Sequence, residues 1–152
     1  MLQNDNDIVR GVGYVTIYSA YTEERIDQLL FALINVEAFP ESEQRKPISW
    51  KIEKAKSILP KLEFRGRDDL LAHLDAAKIA FENRNEIIHG RIYPSYSDES
   101  HDLISGRPST SDRPVDAAEL YLLANNFYKL LCEIERPLVF QIPKAVSSLQ
   151  HP

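Results

Sequence analysis

The sequence predicts a mainly α fold: a single-domain, up-and-down helical bundle of four to five helices spanning residues 1–152, with a long first helix and a small β-hairpin between the last two major helices. Three observations predict it. Apolar side chains recur at steps of four and three over four separate stretches, the spacing that lines up one face of a helix. Proline, glycine and acidic or hydroxyl residues punctuate the ends of those stretches. Only five glycines are present, too few for a turn-rich all-β chain.

The first helix is expected from about Asp7 to Ala38, on the line Ile8, Val12, Val15, Ser19, Thr22, Ile26, Leu29, Leu33, Val36. Tyr14, Tyr18 and Tyr21 form a second line beside it, suited to a core or a dimer interface. Against this stand the β-prone run Gly13–Tyr18 and the cost of Gly11 and Gly13, about 1 kcal/mol each in a helix. The seam keeps its phase through Ser19 and Thr22, which favours a helix. At 1.5 Å per residue it would be roughly 45 Å long, and so long a helix in a small domain implies a bundle or a dimer.

Residues 39–47 form a polar connector between Pro40 and Pro47. A second helix follows, with Ser49 or its neighbours near the N-cap, the seam Ile48, Ile52, Ala55, Leu59, Leu62, and Pro60 ending or kinking it. Its lysines (Lys51, Lys54, Lys56, Lys61) suit a solvated face, with RNA contact the weaker alternative. A third helix runs from about Asp68 to His89 on the seam Leu70, Leu74, Ala77, Phe81, Arg84, Ile88, and Gly90 is placed to close it. The connection 90–114 has no helical period. It holds several prolines and serines (Pro94, Ser95, Ser97, Ser100, Pro108) and Gly106, and two β-prone pieces, Arg91-Ile92-Tyr93 and Asp102-Leu103-Ile104. Arg91, Arg107 and Arg113 make this connection positive. Asp116 with Glu119 forms a capping box for a last major helix reaching about Glu135, on the seam Leu120, Ala124, Phe127, Leu131, Ile134. Pro137 is expected to stop or kink it, and 143–152 to be a frayed tail.

Composition excludes several classes. The single Cys132 allows no internal disulfide and, in the run Leu130-Leu131-Cys132, is expected as a buried, inert thiol. That usage suits a reducing cytoplasm. The acidic, polar start does not suit a secretory leader, and no run of about eighteen apolar residues predicts a membrane span. A net charge of −5 disfavours nucleic-acid binding by bulk electrostatics while leaving room for a local basic pocket. His73, His101 and His151 show no metal-ligand spacing with each other or with Cys132. Asp68-Asp69 and Glu23-Glu24 suit helix starts and surface charge better than paired catalytic acids.

One stretch breaks the pattern: Asn83-Arg84-Asn85-Glu86-Ile87-Ile88-His89-Gly90. Arg84 falls on the seam where a leucine would be expected, and a charge on a buried line needs a partner or a functional reason. With Arg84 as zero and about 100° per residue, Ile88 falls near 40°, Asn85 near 100° and His89 near 140°. Arginine and histidine thus share one broad side, too far apart to pair directly. A common substrate or a second copy of the motif would bring them to one reaction centre. Two accounts fit these residues. Arg84 could pair with Glu23, Glu24 or Asp27 of the first helix, with His89 simply suiting a helix end. Alternatively, the histidine moves a proton, the arginine grips a phosphate, and the pair cleaves RNA phosphodiesters without a metal or cofactor.

Arg84-Asn85-x-x-x-His89 resembles the R-N-x-x-x-H signature of the HEPN superfamily, whose members are small helical bundles. Many of them are metal-independent endoribonucleases of toxin–antitoxin, phage-defence and CRISPR systems. The layout is similar across most of the chain: a long first helix, a third helix ending in the signature, and a last helix after a long connection. The resemblance implies Arg84 as the phosphate-binding catalytic arginine, His89 as the proton-transfer residue and Asn85 as the residue that orients the site. It also implies a homodimer in which two motifs meet, an RNA substrate, and an antitoxin or other protein partner. Arg91 and Tyr93, just past the motif, are the candidate substrate-binding residues. A toxin subgroup paired with nucleotidyltransferase antitoxins carries a tyrosine two residues after the histidine. Arg91 occupies that position here, and Tyr93 lies further on. Some family members are non-catalytic bundles that bind partner proteins or nucleotides, and that is the competing expectation.

Overall fold

The computed structural model describes residues 2–94, 102–105 and 111–150, a helical bundle carrying a small antiparallel sheet. The first helix, α1, spans Ile8–Leu33. Asp7 caps it, accepting a hydrogen bond from the Arg10 amide at 3.0 Å. Its buried face is Gly11, Val15, Ser19, Thr22, Ile26, Leu29, Leu30 and Leu33, so the seam read from the sequence is the face that packs. The β-prone run Gly13–Tyr18 lies wholly inside the helix. Thr22 is fully buried because its hydroxyl hydrogen is shared between the carbonyls of Tyr18 at 2.8 Å and Phe127 at 3.1 Å. The helix stops at Leu33, five residues short of Ala38. There the amides of Val36 and Glu37 both turn back onto the Leu33 carbonyl.

The second helix, α2, spans Ile48–Ile58 and gives way to a 3-10 turn at Leu59–Lys61, where Pro60 cannot continue the α pattern. The residue before it, Pro47, stands at the N-cap with no side-chain cap bond, so Ser49 does not cap. All four lysines of this segment meet carboxylates rather than open solvent. Lys51 is buried and reaches Asp27 at 2.7 Å and Glu23 at 3.3 Å. Lys54 and Lys61 hold Glu37 at 2.8 and 2.6 Å, and Lys56 holds Asp75.

The third helix, α3, spans Arg67–His89 after Gly66, whose positive φ of 87° suits glycine. Strands β1 (Arg91–Pro94), β2 (Asp102–Ser105) and β3 (Arg113–Val115) then form an antiparallel sheet in that order, with Ile92 opposite Ile104 and Leu103 opposite Pro114. The first two are the expected hairpin. The third was not foreseen, since Pro114 tells against a strand; the sheet edge tolerates it. The expected polar tip of the hairpin, with Ser95, Ser97, Ser100 and His101, lies outside the described residues, as do Gly106, Arg107, Pro108 and His151.

The fourth helix, α4, spans Ala117–Phe140 and runs straight through Pro137, past the expected end near Glu135. Pro137 is buried, and its packing offsets the lost amide. A fifth helix, α5, covers Ile142–Gln150, where a frayed tail was expected. Pro143 is tolerated there because it falls in the first turn, where amides have no helical partner, and Ile142 and Ala145 are buried against the core. Cys132 is exposed, not buried: Leu130 turns into the core, and the thiol two residues on points outward.

Contacts fix the directions of the helices. Gly11 meets Leu120, Tyr14 meets Tyr121, Tyr18 meets Tyr128 and Arg25 meets Glu135, so α1 and α4 run parallel. The Tyr14–Tyr121 and Tyr18–Tyr128 rings meet edge to face at 5.6 and 5.5 Å, and the tyrosine line therefore clasps α1 to α4. Lys78 pairs with Glu53 and Asp75 with Lys56, so α2 and α3 run antiparallel.

Candidate functional site

The sequence motif occupies the last two turns of α3. Phe81 packs edge to face on Phe127 at 5.0 Å and fixes the helix against α4 just before the motif. Ile87 is buried, whereas Ile88 is only half-buried, so the core line closes on Ile87. Beyond His89 the chain bends directly into β1. Gly90 ends the helix with extended backbone (φ −78°, ψ 163°) and not in the left-handed conformation of a glycine cap. Its glycine has another cause. A Cβ there would lie 2.7 Å from both the Glu86 carbonyl oxygen and the Ile104 side chain, so only glycine lets β2 close on the helix end.

Arg84 stays on the core-facing line and is half-buried. Its Nε is buried without a hydrogen-bond partner, and Nη1 donates to Asn85 Oδ1 at 3.1 Å. None of the carboxylates considered for it takes that role. Glu23 and Asp27 face Lys51, and Glu24 faces Arg25 at 3.7 Å. Among the described residues Arg84 has no ion pair. This sets it apart from the buried, unbonded Arg25 Nε and Asp27 Oδ1, which at least lie against opposite charges.

Asn85 and His89 are exposed. They continue a line that runs back by steps of four and three through Glu82, Lys78 and Asp75. Lys78 and Asp75 are engaged by α2 through Glu53 and Lys56. Because α2 begins at Ile48, which this antiparallel register sets opposite the turn of Glu82, it stops short of Asn85 and His89, and that end of the line is left open. The fold thus brings Arg84, Asn85 and His89 onto one accessible end of α3, with the arginine set deeper than the other two.

Arg91 is exposed at the start of β1. Tyr93 lies half-buried on the same strand and donates its hydroxyl hydrogen to the Asp112 carboxylate, which raises the pKa of the phenol. Its hydroxyl therefore ties β1 to the segment before β3.

Glu86 and Arg113 have roles that the sequence did not reveal. Arg113 Nε donates to Glu86 at 2.7 Å, while Nη2 and Nη1 grip both oxygens of Glu119 at 2.7 and 2.9 Å. These bonds, Glu119 first and then Glu86, push the guanidinium pKa well up. One arginine thus ties the motif helix to β3 and α4, and its charge is spent. Asp116 does cap α4, accepting from the Glu119 amide at 2.8 Å, but the Glu119 side chain serves Arg113 and does not complete the box. An acid in the middle of the motif and an arginine three residues before the cap were the available clues.

Two cavities of about 350 Å³ lie elsewhere on α3. One is at its N-terminal end beside Arg65, His73 and Arg136; the other lies between α3 and α4 beside Ile79, Asn83 and Leu123. Neither is lined by Arg84, Asn85 or His89. Among the described residues no three His, Cys, Asp or Glu side chains gather as a metal set, and no helix is long and apolar enough to cross a membrane. Comparison of the chain with protein-family models, curated proteins and solved structures gives no match.

Proposed function

We propose that the chain is a metal-independent endoribonuclease of HEPN type, acting as a homodimer in the cytoplasm, in a toxin–antitoxin or phage-defence setting. The observation that carries this reading is Arg84. A half-buried guanidinium with a buried, unbonded Nε and no carboxylate partner among the described residues is held ready for an anion. Beside it, Asn85 and His89 stand open to solvent at the end of the same helix.

In the proposed reaction the 2′-hydroxyl loses its proton to solvent water as its oxygen attacks the adjacent phosphorus, and the bond to the 5′-oxygen breaks. The products are a 2′,3′-cyclic phosphate and a 5′-hydroxyl end. Arg84 stabilises the charge that builds on the equatorial oxygens. His89 gives its proton to the leaving 5′-oxygen. Asn85, bonded to Arg84, keeps the guanidinium oriented. The second copy supplies the opposite group, because about 140° of helix separates Arg84 from His89.

The test is cleavage of a single-stranded RNA panel in EDTA. Wild type is expected to cut, and Arg84→Ala and His89→Ala to lose at least about a hundredfold while keeping their helical spectra. Mixing the two inactive variants is expected to restore about a quarter of wild-type activity, since half of the dimers are mixed and each holds one complete site. An intact panel with folded wild type, or normal cutting by either variant, removes the reading.

A further inference from the structure

Helix α1 is apolar on both sides. Opposite its core face, Val9, Gly13, Thr16, Ile17, Ala20 and Tyr21 look outward, and between Arg10 and Glu23 this side carries no charge, in a chain that is 27% charged. Val9 is 81% exposed and Ile17 48%. A surface helix normally sets charge on this side, and one that is apolar all round is normally covered. Gly13 adds a second oddity. It weakens the helix interior, yet among the described residues nothing lies within 4 Å of where its Cβ would be, and none of them calls for glycine there. A glycine with that vacancy lets another helix approach closely.

The face continues the line that α2 occupies higher up. Glu23 and Asp27 of α1 meet Lys51 of α2, and the same line runs back through Ala20, Thr16, Gly13 and Val9 below the start of α2. Its counterpart on α3 is Asn85 and His89. Among the described residues the short α2 therefore leaves open one half of a slot, bordered by the wall of α1 and by the Arg84–His89 motif.

We infer that this wall of α1 is where a second copy of the chain docks, antiparallel, about a twofold axis at Ile17. Two features favour a second copy over a nucleic-acid strand. Between Arg10 and Glu24 the wall carries no cation to hold phosphates, Arg10 itself is held by Asp5, and the nearby lysines of α2 are all engaged by carboxylates. The wall is also self-complementary. With Ile17 on the axis, Gly13 faces Tyr21 of the second copy, and a ring can lie over the missing Cβ. The same register sets exposed Arg10 opposite exposed Glu24 of the second copy, opposite charges at both ends of an apolar strip. Arg10 is already held by Asp5 and retains further donors for Glu24. From Arg10 to Glu24 the strip is about 22 Å long, a small interface suited to a dissociation constant on the order of micromolar. It shares with the nuclease reading only the need for a second copy.

Sedimentation of the full chain over a range of concentrations tests the inference, with circular dichroism to confirm folding. Wild type is expected to dimerise reversibly. Ile17→Glu and, independently, Gly13→Leu are expected to raise the dissociation constant by roughly a hundredfold. Arg10→Glu and Glu24→Arg should each weaken the dimer about tenfold, and the double reversal should recover most of the loss. A wild type that is monomeric at about a hundred times the expected constant overturns the proposal. So does a dimer indifferent to Ile17→Glu and Gly13→Leu, or a double reversal no tighter than either single one. RNA cleavage is scored separately. A dimer that forms through another face and still cuts RNA sinks this interface and leaves the nuclease reading standing.

Discussion

Gly11 and Gly13 stand two residues apart on α1, and replacing each by alanine is expected to move stability in opposite directions. Either substitution removes the helix penalty of glycine, a gain of about 1 kcal/mol. At Gly13 that gain stands alone, because the added methyl meets none of the described residues within 4 Å. For a chain of this length it corresponds to a rise in Tm of about 2–4 °C. At Gly11 the methyl would sit 2.9 Å from Leu120 Cβ and 3.2 Å from its Cδ1. The Cδ1 contact can be relieved by a rotamer change. The Cβ contact cannot, because Cβ moves only with the α4 backbone, and Leu120 is fully buried. Forcing parallel α1 and α4 apart costs about 1–3 kcal/mol, which cancels or outweighs the propensity gain. The net at Gly11 is therefore a loss of about 0–2 kcal/mol.

Thermal and urea unfolding at concentrations well below the proposed dissociation constant reads both effects without interference from dimerisation. If Gly11→Ala raises Tm as much as Gly13→Ala does, α1 and α4 do not approach so closely, and the packing argument fails. If Gly13→Ala lowers the dilute Tm, some part of the same chain covers that glycine, and the outward face is not vacant.

Two further outcomes are expected. Arg113→Gln should cost about 1 kcal/mol, since the guanidinium is 37% exposed and its bonds to Glu119 and Glu86 are partly screened. Hydrogen exchange should show the last turn of α3 opening more than its middle, and uniform opening would count against the staple. Glu37 is a pH reporter: the hydrogen bonds from Lys54 and Lys61 hold its carboxyl down to about 2 from an ordinary 4.5. A lowered carboxylate pKa stabilises the fold above 4.5 and loses that effect as pH falls through about 2. The Tm difference between wild type and Glu37→Gln should therefore shrink across that window, and a constant difference would refute the assignment.

Periodicity revealed the bundle because burial enforces it: the seam of α1, Ser19 and Thr22 included, is the face that packs. The hidden parts obey longer-range physics. Pro137 and Pro143 looked like terminators, since local rules cannot show that core contacts compensate one and first-turn placement excuses the other. β3 owes its existence to a position at the sheet edge, which three residues with a central proline cannot announce. In the site, Arg84 was legible as a break in the seam. The capture of Arg113 by Glu86 and Glu119 was not, because those groups lie 27 and 6 residues away in sequence and meet only in the folded chain. The reason for Gly90 was likewise invisible: Ile104 presses on it from β2.

Arg84 also permits a test that separates a structural role from a functional one. Methionine at position 84 keeps the long apolar stem on the seam and removes a buried donor that has no partner among the described residues. Leaving such a donor unbonded costs about 1–3 kcal/mol in a dry interior, and less at a half-buried site. Arg84→Met is therefore expected to stabilise the fold by about 1 kcal/mol, roughly 2–4 °C in Tm, while abolishing RNA cleavage. Loss of activity with a gain in stability is the behaviour of a group held at a cost for chemistry. Were Arg84→Met instead to destabilise by a kilocalorie or more, the guanidinium would have a structural partner. It would then not be waiting for a phosphate, and the case for catalysis at the end of α3 would lose its physical footing.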